Sequence, residues 1–179
     1  MEKRAMMGFS NLTLFPLVQN SATDYAVDVG FRLPWVQEMQ RDVDTSEQKI
    51  FADDGLYLDA KSWNGMTVTI TVAEMPLEMI AKLGFGDYDA ATESLKWHPQ
   101  GKNLSFAATF RCLRADGKYR MMKFYNFTIN EIREDNLRTR GDGGDIVSYR
   151  VMGSFTARAA DGAVAEFHDG EDQTWLESI

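Results

Sequence analysis

Between Met66 and Ala73 the chain alternates without a break, with Val68, Ile70 and Val72 at every second position and Thr67, Thr69 and Thr71 between them. β-Branched residues at period two describe a strand with one apolar face and one polar, uncharged face. The same alternation puts Phe106, Ala108, Phe110 and Cys112 on one face of a second strand, which runs into Ala115-Asp116-Gly117. An Asp-Gly pair between two apolar runs predicts a hairpin, because both turn positions tolerate positive φ. The return strand spans about 119–132 and is rich in Met and aromatic residues. A further strand over 146–157 sets Val147, Tyr149, Val151 and Phe155 against Ser148, Arg150, Ser154 and Thr156. It ends near a second Asp-Gly pair, Asp161-Gly162, which leads into a short strand at about 164–167. Weaker strand patterns lie at 11–18, 25–29, 36–39 and 49–52.

The period changes once. Pro76-Leu-Glu-Met-Ile-Ala-Lys-Leu83, followed by Gly84, reads as a helix. Proline suits the first turn, where its missing N–H costs nothing, and glycine suits the left-handed position after the last turn. Leu77, Ile80 and Leu83 form a short apolar stripe for packing on a sheet. The predicted fold is therefore mainly β: a β-sandwich or partial barrel with one flanking α-helix at about 76–83. Two polar stretches, 41–48 and 134–145, exceed the usual length of a hairpin turn, and the second contains Gly141, Gly143 and Gly144.

Composition narrows the class. At 179 residues, 44% hydrophobic and 26% charged, the chain suits a single domain with a buried core. No apolar run approaches the roughly 18 residues needed to cross a bilayer, and no membrane partner is expected. Met1-Glu-Lys-Arg4 is not followed by an apolar segment, so no signal peptide is expected. Cys112 is the only cysteine, which excludes a disulfide within the chain and fits a reducing compartment. The net charge of −8 comes from 27 acidic and 19 basic side chains. It argues against tight phosphate binding, which needs clustered cations, and does not exclude a protein past which DNA moves without sticking. After Arg158 there is no Lys or Arg, whereas Asp161, Glu166, Asp169, Glu171, Asp172 and Glu177 follow, and this stretch reads as a solvated acidic tail.

Little in the sequence points to catalysis. His98 and His168 share no metal-ligand spacing with Cys112, which sits in an alternating strand where a buried, inert thiol is the expectation. Asp53-Asp54 before Gly55 reads as a turn whose carboxylates bond nearby amides. Gly141-Asp-Gly-Gly144 lacks the Lys-Ser/Thr of a phosphate loop, and Gly84-Phe-Gly86 lacks the rest of a dinucleotide fingerprint. No catalytic residue, metal site or cofactor is assigned, and the chain is not expected to be an enzyme.

The order of features resembles the major tail tube family of siphophages. The matching segments are Gly30-Phe-Arg-Leu-Pro-Trp35, Lys49-Ile-Phe-Ala-Asp-Asp-Gly55, and the Met66–Ala73 strand running directly into Glu74-Met-Pro-Leu-Glu-Met-Ile-Ala-Lys-Leu-Gly84. The aromatic strand Lys123-Phe-Tyr-Asn-Phe-Thr128 and the late strand ending in Phe155-Thr-Ala157 follow in order. The likeness covers roughly residues 11–168. It implies a structural virion subunit, assembled in the bacterial host cytoplasm, whose hexameric rings stack into a tube around duplex DNA. The implied partners are further copies of itself, a tail-tip initiator complex, a tape measure protein and a tail terminator; DNA passes without specific binding. It further implies inter-ring grip by a long hairpin loop at about 36–52, with Asp42, Val43, Asp44, Thr45, Ser46 and Glu47 as contact residues. An N-terminal arm at about 1–10 and an acidic C-terminal arm at about 168–179 would add to that grip. No further immunoglobulin-like domain is expected after Ile179, and loop 134–145 has no family counterpart. Thr67, Thr69 and Thr71 are the candidate lumen face, although a polar outer face fits the same pattern.

Two other readings stay open. One is a different β-rich virion protein, either a tail terminator or the inner tube of a contractile system. The other is a ligand- or carbohydrate-binding β-sandwich in which Trp35, Trp63, Trp97 and Trp175 form a sugar platform, against the commoner use of scattered tryptophans in cores and interfaces.

Overall fold

The computed structural model describes residues 6–52, 55–135, 148–170, 172, 174–177 and 179. In chain order the elements are β1 (Met6–Asn20), β2 (Tyr25–Val27), β3 (Phe31–Arg32), β4 (Val36–Ala52), β5 (Gly55–Val72), α1 (Leu77–Lys82), β6 (Gly86–Asp89) and β7 (Ser94–Trp97). Then come β8 (Ser105–Arg114), β9 (Tyr119–Asp135), β10 (Ser148–Thr156), β11 (Ala165–Asp169) and α2 (Thr174–Glu177). Nine strands form one antiparallel sheet in the order β2-β1-β8-β9-β10-β5-β4, with β11 added to β9 and β3 to β1. β6 and β7 make a separate two-stranded ribbon. The fold is thus mainly β, a large open sheet with a short helix against it and no closed barrel.

Period-two alternation in β5 becomes burial. Val68, Ile70 and Val72 are fully buried, and their cross-strand partners on β10 are Gly153, Val151 and Tyr149. The core continues through aromatic contacts across β8, β9 and β10. Phe124 stacks on Phe155 at 4.1 Å, Phe127 leans on Phe155 at 4.8 Å, and Phe110 stacks on Phe124 at 5.7 Å. Room for these rings depends on Gly153. A Cβ there would stand 2.4 Å from the Thr128 carbonyl oxygen and 2.6 Å from the Phe127 ring.

Helix α1 starts where proline predicts it. The Pro76 carbonyl accepts the N–H groups of Met79 and Ile80, and the helix ends at Gly84, whose φ is 93°. Ile80 and Leu83 enter the core, but Leu77 is 42% exposed, so Met79 takes the third packing position instead. Phe85, just after the helix, is buried in the same cluster. Together these residues cover part of the sheet's apolar face.

Four expectations change. The polar stretch 41–48 is not a loop: it lies inside β4, paired residue by residue from Arg41↔Val68 to Gln48↔Ala60. Among the described residues only β5 flanks β4, as at a sheet edge, and edge strands carry charge instead of a clean alternation. The Asp53-Asp54 pair lies outside the described residues. The N-terminal arm is in part strand: Met6, Gly8, Phe9 and Ser10 pair with Arg114, Leu113, Cys112 and Arg111, while residues 1–5 lie outside the described set. In the acidic tail, Asp172 accepts the backbone N–H and the hydroxyl of Thr174 and so starts the second helix, α2, whose Leu176 is buried. Of loop 134–145, Glu134 and Asp135 belong to β9, and 136–147 lies outside the described residues.

Replacing Phe155 with Ala deletes the ring shared by Phe124 and Phe127 and should cost about 3–5 kcal/mol. The exposed Val29→Ala should stay within about 0.5 kcal/mol. Urea unfolding followed by tryptophan fluorescence measures both.

Candidate assembly surface

The sheet divides at one level. β5 pairs with β10 only as far as Met66↔Phe155, and from Gly65 to Gly55 its described partners are all on β4. The outer half of the β4–β5 hairpin therefore projects as a two-stranded ribbon. On the other side of the split, β9 continues past β10 and takes up β11, from Ala165↔Phe124 to Asp169↔Arg120. Between the two branches lies a groove of about 310 Å³ lined by Met66, Phe124, Val164, Ala165 and Phe167. Phe167 is 57% exposed and Val43, opposite Met66 on β4, is 56% exposed. The Arg41 guanidinium sits 5.8 Å from the Phe124 ring at the same place.

β11 is held firmly on its inner side. Asp169 receives Arg120 Nε and Nη2 at 2.6 and 2.8 Å and Arg114 Nη1 at 3.0 Å. At the other end the Tyr125 hydroxyl donates to Glu166 at 2.7 Å, and the Tyr25 hydroxyl donates to the Tyr125 carbonyl at 2.6 Å. The Arg158 guanidinium lies 4.0 Å from the Tyr125 ring and 5.5 Å from the Tyr25 ring, and it grips Asp161 with two nitrogens. Burial, with Glu166 adding to it, pushes the Tyr125 hydroxyl up to about 12, and burial raises Tyr25 as well. These bonds fix β11 against β9, and among the described residues its outer edge has no strand partner.

The threonine face is where the alternation places it. Thr67 is exposed, and Thr69 and Thr71 are half-buried. Thr67 lies between Asp42 and Ser154, Thr69 between Gln40 and Met152, and Thr71 between Glu38 and Arg150. The strand's own face is uncharged, but its neighbours are not: β4 adds carboxylates and β10 adds Arg150. Farther across the same face lies α2. Trp175 stacks on His168 at 5.3 Å and covers the Lys123 ammonium at 4.0 Å. Lys123 is buried, and that burial lowers its pKa. Thr109, the cross-strand neighbour of Lys123, is buried too. The acidic-tail reading of the sequence missed this helix; the Asp-x-Thr cap at Asp172 was its one local signal.

The other singled-out residues lie apart. Asp42, Val43, Asp44 and Thr45 are exposed on β4 at the base of the projecting ribbon, and Ser46 and Glu47 follow on the same strand. His98 bonds Asp87 at 3.0 Å beside Lys102, far along the chain from Trp175 and His168. Cys112 is buried, and desolvation raises its thiol pKa, which makes it less reactive. Among the described residues, no three His, Cys, Asp or Glu side chains are grouped to hold a metal ion. Trp35, Trp97 and Trp175 stand on the β3–β4 turn, β7 and α2, and the ring contacts found among the described residues join none of them to another. An open cleft of about 630 Å³ borders Phe15, Val29, Arg32, Thr109 and Leu176, between β1, the β2–β3 connection and α2.

No protein-family model matches the chain, and no curated protein matches it. Among solved structures the chain is similar to the tube-terminating cap of the anti-feeding prophage, with a TM-score of 0.47 and 8% identity over 87% of this chain and 88% of that one. It is also similar to a chain of the anti-feeding prophage baseplate, with a TM-score of 0.44 and 7% identity over 94% and 97%. A likeness this remote leaves fold and function to be argued from the chain itself.

The Arg158–Asp161 grip should be visible in acid. The guanidinium, with the Ala163 N–H, pulls the Asp161 carboxyl from 3.8 down to about 2. Protonation is therefore harder in the folded state, so this contribution is whole above about pH 4 and is lost as pH falls towards 2. Melting curves between pH 5 and 2 should fall less steeply for Asp161→Asn than for the wild type, while the variant starts lower at pH 7.

Proposed function

We propose that the chain is a structural subunit of a phage-type tail, which associates with copies of itself through the open edges and projecting hairpin of its sheet. The observation that carries this reading is the split sheet, with a ribbon that pairs only with itself on one branch and an unpaired strand edge on the other. Monomeric proteins usually block such edges. The motif order from Gly30 to Ala157, with its resemblance to siphophage tail tube proteins, supports the same reading.

In its finer form, the subunit builds six-fold rings that stack into a conduit for DNA. The β4–β5 hairpin reaches the next ring, beginning with Asp42, Val43, Asp44, Thr45, Ser46 and Glu47. Thr67, Thr69 and Thr71 face the lumen, where the threonines offer no cation to phosphates and Glu38 and Asp42 beside them outnumber Arg150. The tail-tip complex, tape measure protein and terminator are its partners in that scheme, and the particle is the virion.

A second reading stands beside the first: a ring that terminates a tube, or the inner tube of a contractile system. The same open edges would close a single ring. The two remote likenesses, a tube cap and a baseplate, bear names of end pieces and are too distant to weigh.

Electron microscopy of the concentrated protein, alone and with its tail-tip complex, separates these. The tube reading expects open-ended tubes of six-fold rings. Replacing 44–65 by Asn-Gly should keep the monomer's melting temperature, since shortening a connection changes closure entropy little, yet abolish stacking. Closed rings that never stack would favour the terminator reading. Compact monomers under every condition would contradict both.

A further inference from the structure

We infer that the open cleft between β1, the β2–β3 connection and α2 binds a small, neutral, hydroxyl-rich ligand of the saccharide class. The site belongs to the single chain and does not depend on the assembly reading above.

The register builds its floor. Thr13 on β1 stands opposite Arg32 on β3 and opposite Thr109 on β8, so the three side chains share one row. That row lies on the face away from the core, because the residues flanking Thr13 on β1, Leu12 and Leu14, are the buried ones. At the far end of the row Trp175 covers Lys123, the cross-strand neighbour of Thr109, and closes it there. One wall is the β2–β3 connection with Val29, and the other is α2 with Leu176. Gly30 lets the connection lie directly on the Phe15 ring, since a Cβ there would stand 2.5 Å from it.

The floor carries hydrogen-bonding capacity that the chain does not use. Thr109 is 1% exposed, yet its hydroxyl has no hydrogen-bond partner among the described residues. The Arg32 guanidinium and the Asn11 side-chain amide, which border the same cleft, have none either. Buried polar groups are ordinarily bonded, so an unpartnered hydroxyl on a cleft floor marks a place for a ligand atom.

Charge selects the ligand class. Asp28 and Glu177 also border the cleft, and both are exposed. A phosphate or carboxylate would meet these two acids against one guanidinium, and a cation would meet Arg32. A neutral ring with several hydroxyls accepts from Arg32, Asn11 and Thr109 and donates to the two carboxylates. Its C–H surface rests on Val29 and Leu176. The volume, about 630 Å³, falls within the roughly 300–1,000 Å³ of small-molecule sites. Trp35, Trp97 and Trp175, considered above as a sugar platform, do not line the cleft.

Calorimetric titration of the whole protein tests the proposal. Glucose, galactose and N-acetylglucosamine are the neutral probes; glucuronate, galacturonate, glucosamine and galactosamine are their charged counterparts. At least one neutral sugar should bind saturably, with its charged counterparts about tenfold weaker or worse. Arg32→Gln, at an exposed position, should keep the wild-type melting curve and weaken binding of that sugar about tenfold. Thr109→Val, which removes the hydroxyl at nearly constant shape, should weaken it similarly whatever shift its melting curve shows. The proposal is overturned if no neutral sugar binds, if a charged counterpart binds more tightly, or if both variants bind as the wild type does. Each of those results leaves the assembly reading standing, since micrographs of tubes or rings decide that separately.

Discussion

Seven cross-strand pairs, from Met66–Phe155 to Val72–Tyr149, join the β4–β5 hairpin to the β8–β9–β10 strands. On the apolar face of that seam Val68, Ile70, Val151 and Phe155 are completely buried, and Phe155 passes the packing on to Phe124 and Phe127. Without the seam the sheet would fall into two pieces, each with an uncovered apolar face. A one-residue slip would turn Val68, Ile70 and Val72 to solvent and the threonines inward. The seam also stops at Met66, and that limit creates the projecting ribbon, the free edge of β11 and the groove between them. The same pairing that closes the core thus leaves a defined part of the molecule unfinished.

What was legible in the sequence follows the burial. Strands with one face on the core carried their alternation openly: β5, β8 and β10 are read from Val68-Ile70-Val72, from Phe106 to Cys112, and from Val151 and Phe155. Both Asp-Gly pairs sit in turns, with positive φ at the glycine alone, 80° at Gly117 and 71° at Gly162. Pro76 and Gly84 bracket α1. β4 was misread because Asp42 to Thr45 are all exposed and show no apolar alternation. Lys123 is the reverse case: a cation in mid-strand looks exposed, yet Trp175, more than fifty positions later, covers it. Such pairings depend on tertiary contact, which no local pattern records. The small β6–β7 ribbon was likewise unmarked in the sequence, since its Gly86-Asp-Tyr-Asp89 run has the composition of a turn.

For the candidate surface, the form of one segment differs from the expectation. Residues 42–47 were expected in a loop; they lie on β4, paired with β5 from Asp42↔Thr67 to Glu47↔Lys61. The threonine face was correct in its polarity, but its electrostatic character comes from neighbours across the sheet, Glu38, Asp42 and Arg150, which only the register reveals. Asp169, Arg114, Arg120 and the Tyr125–Glu166 bond hold β11 against β9, and among the described residues its outer edge has no strand partner.

The account's central claim is that the hairpin end of the sheet is where copies of this chain meet. Hydrogen–deuterium exchange, resolved to short peptides and compared between monomer and assembled protein, tests it most directly. The amides of the β5–β10 seam should exchange slowly in both states. Amides in 44–65 and on β11 should exchange quickly in the monomer and become strongly protected on assembly. Assembled protein in which 44–65 and β11 exchange as fast as in the monomer, with new protection elsewhere, would contradict the claim.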